Sequence, residues 1–236
     1  MGQKVSPTGF RLGVTEDWRS RWYSDKDYAK NLENDLAIRK YLEKQLSHAA
    51  VSRVEIERAG DKIKVIITTS RPGVVIGKKG AEVDALRKKL NQIANGTVSV
   101  EVVEVKRPEL DANLIAQSIA EQLENRVAFR RAMRKAVQSA RKSGAKGIRI
   151  QCAGRLGGAE MSRREWYREG RVPLHTLRAK IDYGFCTAAT QMGSIGIQVW
   201  VYHGEVLPGQ KAPQPALEGS SRPNRRTRRN NDRGDK

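Results

Sequence analysis

The strongest restriction on the fold comes from a β-hairpin pattern around a glycine turn at Gly60-Asp61. Apolar and charged residues alternate on both sides of that turn, and the apolar positions are Val54, Ile56, Ile63, Val65 and Ile67. Alternation with a period of two gives each strand one apolar and one polar face, and a glycine turn lets the two strands pair side by side. The sequence therefore predicts an antiparallel hairpin in the first half of the chain.

Helical patterns lie on both sides of this hairpin. A helix is predicted over 25–48, with Asp25 as its N-cap and an apolar stripe that also takes in Asp35 and Arg39; the apolar members of the stripe are Tyr28, Leu32, Leu36, Leu42 and Leu46. After the strand stop at 71–73 and a short apolar turn, a further helix ends at Asn95-Gly96; its apolar positions are Val83, Leu86, Leu90 and Ile93. Residues 98–105 then predict a bulged strand. The predicted order is α-β-β-α-α-β, with the first helix of the central pair very short.

A second α+β unit follows Pro108. The apolar spacing predicts a helix over about 110–128 and another over 129–142, which carries Met133 and Val137 on its apolar side and ends at Gly144. Four strand patterns follow, at 148–152, around Trp166, at 181–189 and at 197–201. We therefore predict an N-terminal arm (1–24), a first α+β domain (25–107), a second α+β domain of two helices and a four-stranded sheet (108–205), and a disordered basic tail (206–236).

The positive charge of the chain is concentrated in one segment. The 236 residues carry a formal net charge of +19, and 126–159 contains ten basic residues and no acidic residue. A charge run is usually a solvated face, but ordinary solvated surfaces mix both signs. We therefore predict a polyanion contact, with nucleic acid as the partner class. The candidate residues in and just after the segment are Arg130, Arg131, Arg134 and Lys135, followed by Arg141, Lys142, Lys146, Arg155, Arg163 and Arg164.

A second candidate site is the Gly77-Lys78-Lys79-Gly80 loop. Four Gly-x-x-Gly pairs occur in the chain, so the spacing alone is not specific. This pair differs in its setting, because Ile76 and two valines precede it and a patterned helix follows. Glycines let a sugar–phosphate backbone approach closely, and helix-start amides with two lysines attract phosphate. The pattern is typical of the loop with which KH domains clamp four nucleotides of a single strand.

The sequence gives little support for a nucleotide-binding motif, a metal site or a catalytic site. Gly80 is followed by Ala81, which excludes a P-loop, and no G-x-G-x-x-G follows a predicted strand. Neither the three histidines nor the two cysteines have metal-ligand or catalytic spacing: His48, His175, His203, Cys152 and Cys186. We expect no catalytic residue, no metal, no cofactor and no small-molecule substrate. Because the sequence has no long apolar run, we expect neither a signal peptide nor a membrane segment. The small number of cysteines predicts a reduced, cytosolic setting.

Aromatic residues leave one question open. Some of them could stack on bases, but core packing or a protein contact is an equally good reading of the sequence. The residues concerned are Trp18, Trp22, Tyr23, Trp166 and Tyr167.

Several long motifs resemble the family of bacterial small ribosomal subunit protein three. They are GQKVSP at 2–7, RPGVVIGKKG at 71–80, FRRAM at 129–133, GRLGGAE at 154–160 and EWYREGRVPLHTLRA at 165–179. The resemblance implies a type II KH domain, a place in the head of the small subunit, contact with its rRNA, and small-subunit proteins ten and fourteen as neighbours. It also implies that Arg130, Arg131 and Arg134 line the channel through which mRNA enters and help to open mRNA structure.

Three functions therefore stand as alternatives. The leading one is a structural, RNA-binding ribosomal component without catalytic turnover. The second is a free KH-type RNA-binding regulatory factor, which high salt should strip from small subunits during sedimentation. The third is an RNA enzyme such as a nuclease, which the lack of a carboxylate cluster or histidine pair opposes.

Overall fold

Two four-stranded sheets organise the part of the chain that the computed structural model describes, namely residues 4–60, 62–94 and 96–207, without the side chain of Lys79. The helices are Pro7–Phe10 (α1), Tyr28–Gln45 (α2), Pro72–Ile76 (α3), Ala81–Ala94 (α4), Ala112–Glu124 (α5) and Phe129–Lys142 (α6). The strands are Ser20–Arg21 (β1), Val51–Ala59 (β2), Lys62–Thr69 (β3), Thr97–Glu104 (β4), Gly147–Gly154 (β5), Arg163–Gly170 (β6), Ala179–Thr190 (β7) and Gly193–Glu205 (β8). The disorder predicted for 206–236 concerns residues that, from 208 onward, lie outside the described part.

The first sheet has the order β1-β2-β3-β4. Along the chain, the elements from α2 to β4 follow the predicted order α-β-β-α-α-β. Strands β2 and β3 are antiparallel, with Ile56 opposite Val65, and β3 and β4 are parallel, with Val65 opposite Val100. Helices α2 and α4 cover one face, where Ile38, Leu42 and Leu90 are buried against the strands. The two-residue strand β1 pairs parallel to β2 at the sheet edge and is too short for a sequence pattern to reveal.

Helix α2 differs from its predicted stripe. It begins at Tyr28 after Asp27 rather than Asp25, and its buried residues are Asp35, Ile38 and Leu42. Of the predicted stripe, Leu42 and Leu46 are buried, whereas Tyr28, Leu32 and Leu36 are exposed. The reason is that Asp35 turns inward to accept hydrogen bonds from the N-terminal arm and from β2, which rotates the leucine stripe of the first turns toward solvent.

The predicted bulge in β4 is wrong. The pairing of β3 with β4 runs without a register shift from Lys62 opposite Thr97 to Thr69 opposite Glu104. The two consecutive valines at 102 and 103 are both half-buried, so each face of this edge strand accepts one of them without a bulge. A shift occurs instead in β2, between Val51 and Arg53.

The second sheet has the order β6-β5-β8-β7 and is antiparallel throughout. Helices α5 and α6 cover one face, where Ile119 and Met133 pack on Ile150 and Ile197. The approach of α5 to β7 is close, because a Cβ at Gly184 would overlap the carbonyl oxygen of Ala112. The four predicted strands and the bounds of α6 are confirmed, and the chain is α+β as predicted.

Two contacts join the arm and the two sheets. The fully buried Arg11 donates to the carbonyl oxygens of Pro7, Pro173, Leu174, Thr176 and Ala179. At the start of α5, Asp111 accepts from the amide of Leu114 and from the hydroxyl of Ser52 on β2. These contacts fix the position of α5 relative to the first sheet. The limits predicted for the individual domains stay a prediction.

Within the described ranges, no helix has both the length and the apolar character that crossing a bilayer requires.

Candidate RNA interface

The predicted glycine loop connects α3 to α4 in a strongly bent backbone. Gly77 has a φ of 70° and Gly80 a φ of 80°, in the left-handed region that favours glycine. Residues Lys78–Gly80 form one 3-10 turn that leads directly into α4. A Cβ at Gly77 would also overlap the side chain of Glu82, so both space and conformation require glycine there.

An apolar groove lies beside this loop. Val75 is fully buried and fixes α3 to the core, whereas Val74 and Ile76 on either side of it are exposed. A cleft of about 650 Å³ separates the loop from the end of α2, and its lining includes Leu46, His48, Val74, Gly77, Lys78 and Leu86. The predicted apolar floor for bases and the predicted phosphate-binding loop therefore lie next to each other. The side chain of Lys79 is outside the described part, so its contribution stays a prediction.

Helix α6 carries the basic surface. Its buried side consists of Ala132, Met133, Val137 and Ala140, and all its basic residues are exposed: Arg130, Arg131, Arg134, Lys135, Arg141 and Lys142. The exposed residues extend over about 18 Å at 1.5 Å per residue. Met133 and Val137 form the apolar side as predicted.

The charge at the start of α6 is uncompensated. The first turn contains no acidic residue, although the positive end of the helix dipole favours one. Among the described residues, no carboxylate lies within 4.0 Å of the guanidinium groups of Arg130, Arg131 or Arg134. Arg130 lies over the Phe129 ring at 5.5 Å and Arg134 over the Tyr167 ring at 5.8 Å, which orients both cations. This arrangement is suited to an anionic partner.

The weaker candidates fall into two groups. Three arginines already have structural partners, since Arg141 pairs with Glu169 at 3.2 Å, Arg163 pairs with Glu165 at 3.3 Å, and Arg155 donates to the carbonyl oxygens of Ala159 and Met192. The others are exposed cations in different places. Lys142 and Lys146 lie at and just beyond the end of α6. Arg164 lies on the face of the second sheet that points away from α5 and α6.

Arg71, which the sequence pattern indicates only as part of a strand stop, lies between the two sites. Arg71 precedes α3, and it lines a cleft of about 420 Å³ together with Lys135 of α6. The cleft runs between the first sheet and α5–α6, so the segment leading into the glycine loop and the basic helix border the same groove. Arg71 gave no sequence signal of this role because the contact depends on how the two sheets are joined.

The perturbed titratable groups lie away from this surface. Burial, with a smaller contribution from Lys180, lowers the pKa of His203 to about 4, and burial raises the pKa of Cys152 to about 12. Burial and the neighbouring Asp182 raise the pKa of Asp111. His203 and Asp111 belong to the junction between the sheets and Cys152 to the second core. In the described ranges, no three His, Cys, Asp or Glu side chains are placed to hold a metal ion.

Comparison with known families agrees with this architecture. Residues 37–110 match the family model described as KH domain, and residues 119–201 match that of the ribosomal protein S3 C-terminal domain. The fold and its basic surfaces therefore define a KH-containing ribosomal protein.

Curated relatives identify the family. The chain is 61% identical over 211 residues to the small ribosomal subunit protein uS3 of Geobacter sulfurreducens, an alignment that covers 89% of this chain and 100% of the relative. It is 60% identical over 211 residues to uS3 of Syntrophus aciditrophicus, covering 89% and 98% of the two chains. The chain belongs to the uS3 family of small ribosomal subunit proteins.

This membership decides between the three alternatives. The family is structural and not enzymatic, and it belongs to the small ribosomal subunit, which is a cytoplasmic particle in bacteria. The ribosomal component is therefore confirmed over the free regulatory factor and the nuclease.

Proposed function

We propose that this chain binds rRNA in the head of the small subunit and contacts mRNA where it enters, holding it for translation and helping to open its structure. The observation that carries the proposal is the exposed face of α6, where Arg130, Arg131 and Arg134 have no acidic partner among the described residues. Uncompensated arginines at a helix start gain most from phosphate, because phosphate supplies both the missing charge and bidentate acceptors.

The glycine loop contributes a second, more local contact. The space beside Gly80 is open, so a phosphate chain can approach the backbone there, and the exposed Val74 and Ile76 offer apolar surface for bases. Arg71 and Lys135 border one groove, so the two sites lie on adjoining surfaces, although the groove between them also carries Glu109 and Glu121. We also propose small-subunit proteins ten and fourteen as neighbours in the head.

The test of the α6 site uses the salt dependence of RNA binding. We expect the triple variant Arg130→Ala/Arg131→Ala/Arg134→Ala to lower the slope of log K against log salt by up to about three, since each lost phosphate contact removes roughly one unit. A matched control removes the same charge elsewhere and should leave the slope nearly unchanged; its substitutions are Lys26→Ala, Lys40→Ala and Lys44→Ala. Equal slopes for the two variants would contradict the proposed site.

The mRNA role needs a second measurement in assembled particles. Ribosomes carrying the triple variant should initiate more slowly on messages with a stable hairpin downstream, and normally on unstructured messages. If the variant ribosomes initiate on both messages as fast as ribosomes with the unaltered protein do, the proposed opening of mRNA structure is contradicted. This holds even if the variant binds rRNA more weakly.

The glycine loop is tested separately. Lys78→Asp with Lys79→Asp reverses two charges, and it should weaken binding of single-stranded RNA to the full chain without changing its thermal unfolding. Unchanged affinity would remove the loop from the proposal and leave α6 as the main contact.

A further inference from the structure

The face of the second sheet opposite α5 and α6 is covered only in part, by the arm and by residues around Leu174. Its open part presents a row of side chains that neither α6 nor the glycine loop explains. Because side chains alternate along a strand, the residues opposite the α5–α6 face point to this side. The strand register aligns four of them straight across the sheet, in the order Trp166, Gln151, Gln198 and Phe185. Three strand spacings separate the two aromatic residues, which is roughly 14 Å.

The two ends of this row are open to solvent. Trp166 is 55% exposed and Phe185 is 57% exposed, although a sheet face without a partner normally carries polar side chains. Gln151, between them, is only 6% exposed, and its amide donates to Gln198 at 2.9 Å. The row therefore consists of two exposed rings with a fixed pair of amides between them.

A cation sits against this row. The guanidinium of Arg149 lies 5.5 Å from the ring of Trp166 and 5.0 Å from the ring of Trp200, and it donates to Gln151 at 3.3 Å. Its Nε is buried and has no hydrogen-bond partner among the described residues. A buried N–H donor without an acceptor is costly, so the hydrogen-bonding capacity of Arg149 is not fully used within the described residues.

The same face opens into a cleft of about 750 Å³. The arm forms one wall, from Lys4 to Phe10, and Leu174 with His175 forms another. Arg149 and Arg164 also line the cleft, from opposite sides of the row. No described residue that lines the cleft is acidic. Trp166 and Phe185 lie outside the cleft lining. The cleft therefore adds the two amides and the two cations next to the exposed rings, without a carboxylate to repel an anion.

We infer that this sheet face binds two or three unpaired nucleotides of RNA. Bases stack on the exposed rings of Trp166 and Phe185, and the phosphates between them pair with the cations that border the row, Arg149 and Arg164. Four-stranded sheets that expose aromatic residues bind single-stranded RNA in this way, and each stacked base contributes substantially to affinity. The inference rests on the proposed RNA-binding function and adds a base-stacking site to it.

Charge favours RNA over a protein partner on this face. An aromatic surface alone would suit either, but a protein partner would have to supply acidic groups to several arginines at once. RNA supplies them as a regular feature of its backbone, together with flat bases that match the exposed rings. A protein docking here is therefore the competing outcome of the test.

The test measures the binding of a fluorescein-labelled oligouridylate of about 12 nucleotides to the full chain at several salt concentrations. Trp166→Ala and Phe185→Ala should each weaken binding by about fivefold or more, with an unchanged salt slope, because stacking does not release counterions. Trp166→Phe should retain most of the affinity. Trp18→Ala removes an equally exposed aromatic residue from the arm and should have no effect.

The outcomes separate this site from the α6 site. Normal RNA affinity in both Ala variants overturns the stacking site, and a normal effect of the α6 triple variant in the same assay shows that the proposed function still holds. Normal RNA affinity combined with loss of the Trp166→Ala protein from assembled subunits identifies the face as a protein-docking surface and also overturns the inference. Cross-linking of 4-thiouridine RNA to β6 or β7 supports it, whereas cross-links confined to α6 contradict it.

Discussion

Removal of the Asp35 carboxylate should lower the free energy of unfolding more than the loss of any exposed ion pair would. Asp35 is 2% exposed, and its oxygens accept from Arg58 at 2.6 and 3.0 Å. They also accept from Ser20 at 3.0 Å and from Trp22 at 2.8 Å. The carboxylate therefore joins the arm, α2 and β2 in one network.

The expected magnitude follows from the charge that remains. In Asp35→Ala, the Arg58 guanidinium stays in a site that is 9% exposed but loses its counter-charge. Breaking a buried pair from one side costs about 3–5 kcal/mol, which for a chain of this size corresponds to roughly 6–20 °C in the unfolding midpoint. The arm, which loses two of its hydrogen bonds, should also become sensitive to protease near Trp22.

The assay is urea and thermal unfolding of a double-mutant cycle. Asp35→Ala/Arg58→Met removes the unpaired cation and should be more stable than Asp35→Ala, so the two substitutions should not be additive. The control is Glu101→Ala, which breaks the 2.7 Å pair with Lys64 that is about half exposed and should cost less than about 1 kcal/mol. A cost below about 1 kcal/mol for Asp35→Ala, or full additivity, would refute the reasoning.

Three further predictions concern other buried groups. Arg11→Met leaves several buried carbonyl oxygens without a donor and should lower the free energy of unfolding by at least about 3 kcal/mol and expose the arm to limited proteolysis, whereas unchanged protection would contradict this. Because the folded-state pKa of His203, about 4, lies below the unfolded value of 6.5, its contribution to stability is complete above about pH 6.5 and falls by up to about 3 kcal/mol as the pH drops toward 4. His203→Asn should flatten that part of the pH–stability curve, and an identical curve would exclude the residue. Cys152, with its thiol pKa raised to about 12, should react with a disulfide reagent only after unfolding, which counting of modified thiols in native and denatured protein will check.

The parts that were predictable from sequence have local causes. The bounds of α6 at Phe129 and Lys142 match the prediction, because its apolar positions recur at a helical period and Gly144 ends the pattern. The hairpin and the glycine loop were found for the same reason, since a period of two and a Gly-Lys-Lys-Gly turn are properties of adjacent residues. The charged surface could also be found, because no acidic residue interrupts it.

The parts that were missed depend on partners distant in the chain. Asp35 breaks the apolar stripe of α2 and is nevertheless buried, because Ser20, Trp22 and Arg58 converge on it from the arm and β2. A helical period cannot reveal this, since the compensation for burying the carboxylate comes from other elements.

The sequence by itself determined the class of the protein, its element order and the two surfaces that carry positive charge. Periodicity and charge depend on residues that are close in the sequence, so they can be recognised without knowing which elements pack against each other. Only the tertiary structure decided which of the described cations have an acidic partner. In the folded chain Arg141 pairs with Glu169, whereas no carboxylate of the described residues lies within 4.0 Å of the Arg130 guanidinium. The tertiary structure also decided that Trp166 lies exposed in one row with Phe185, because strand register, and not sequence distance, determines which side chains become neighbours in a sheet.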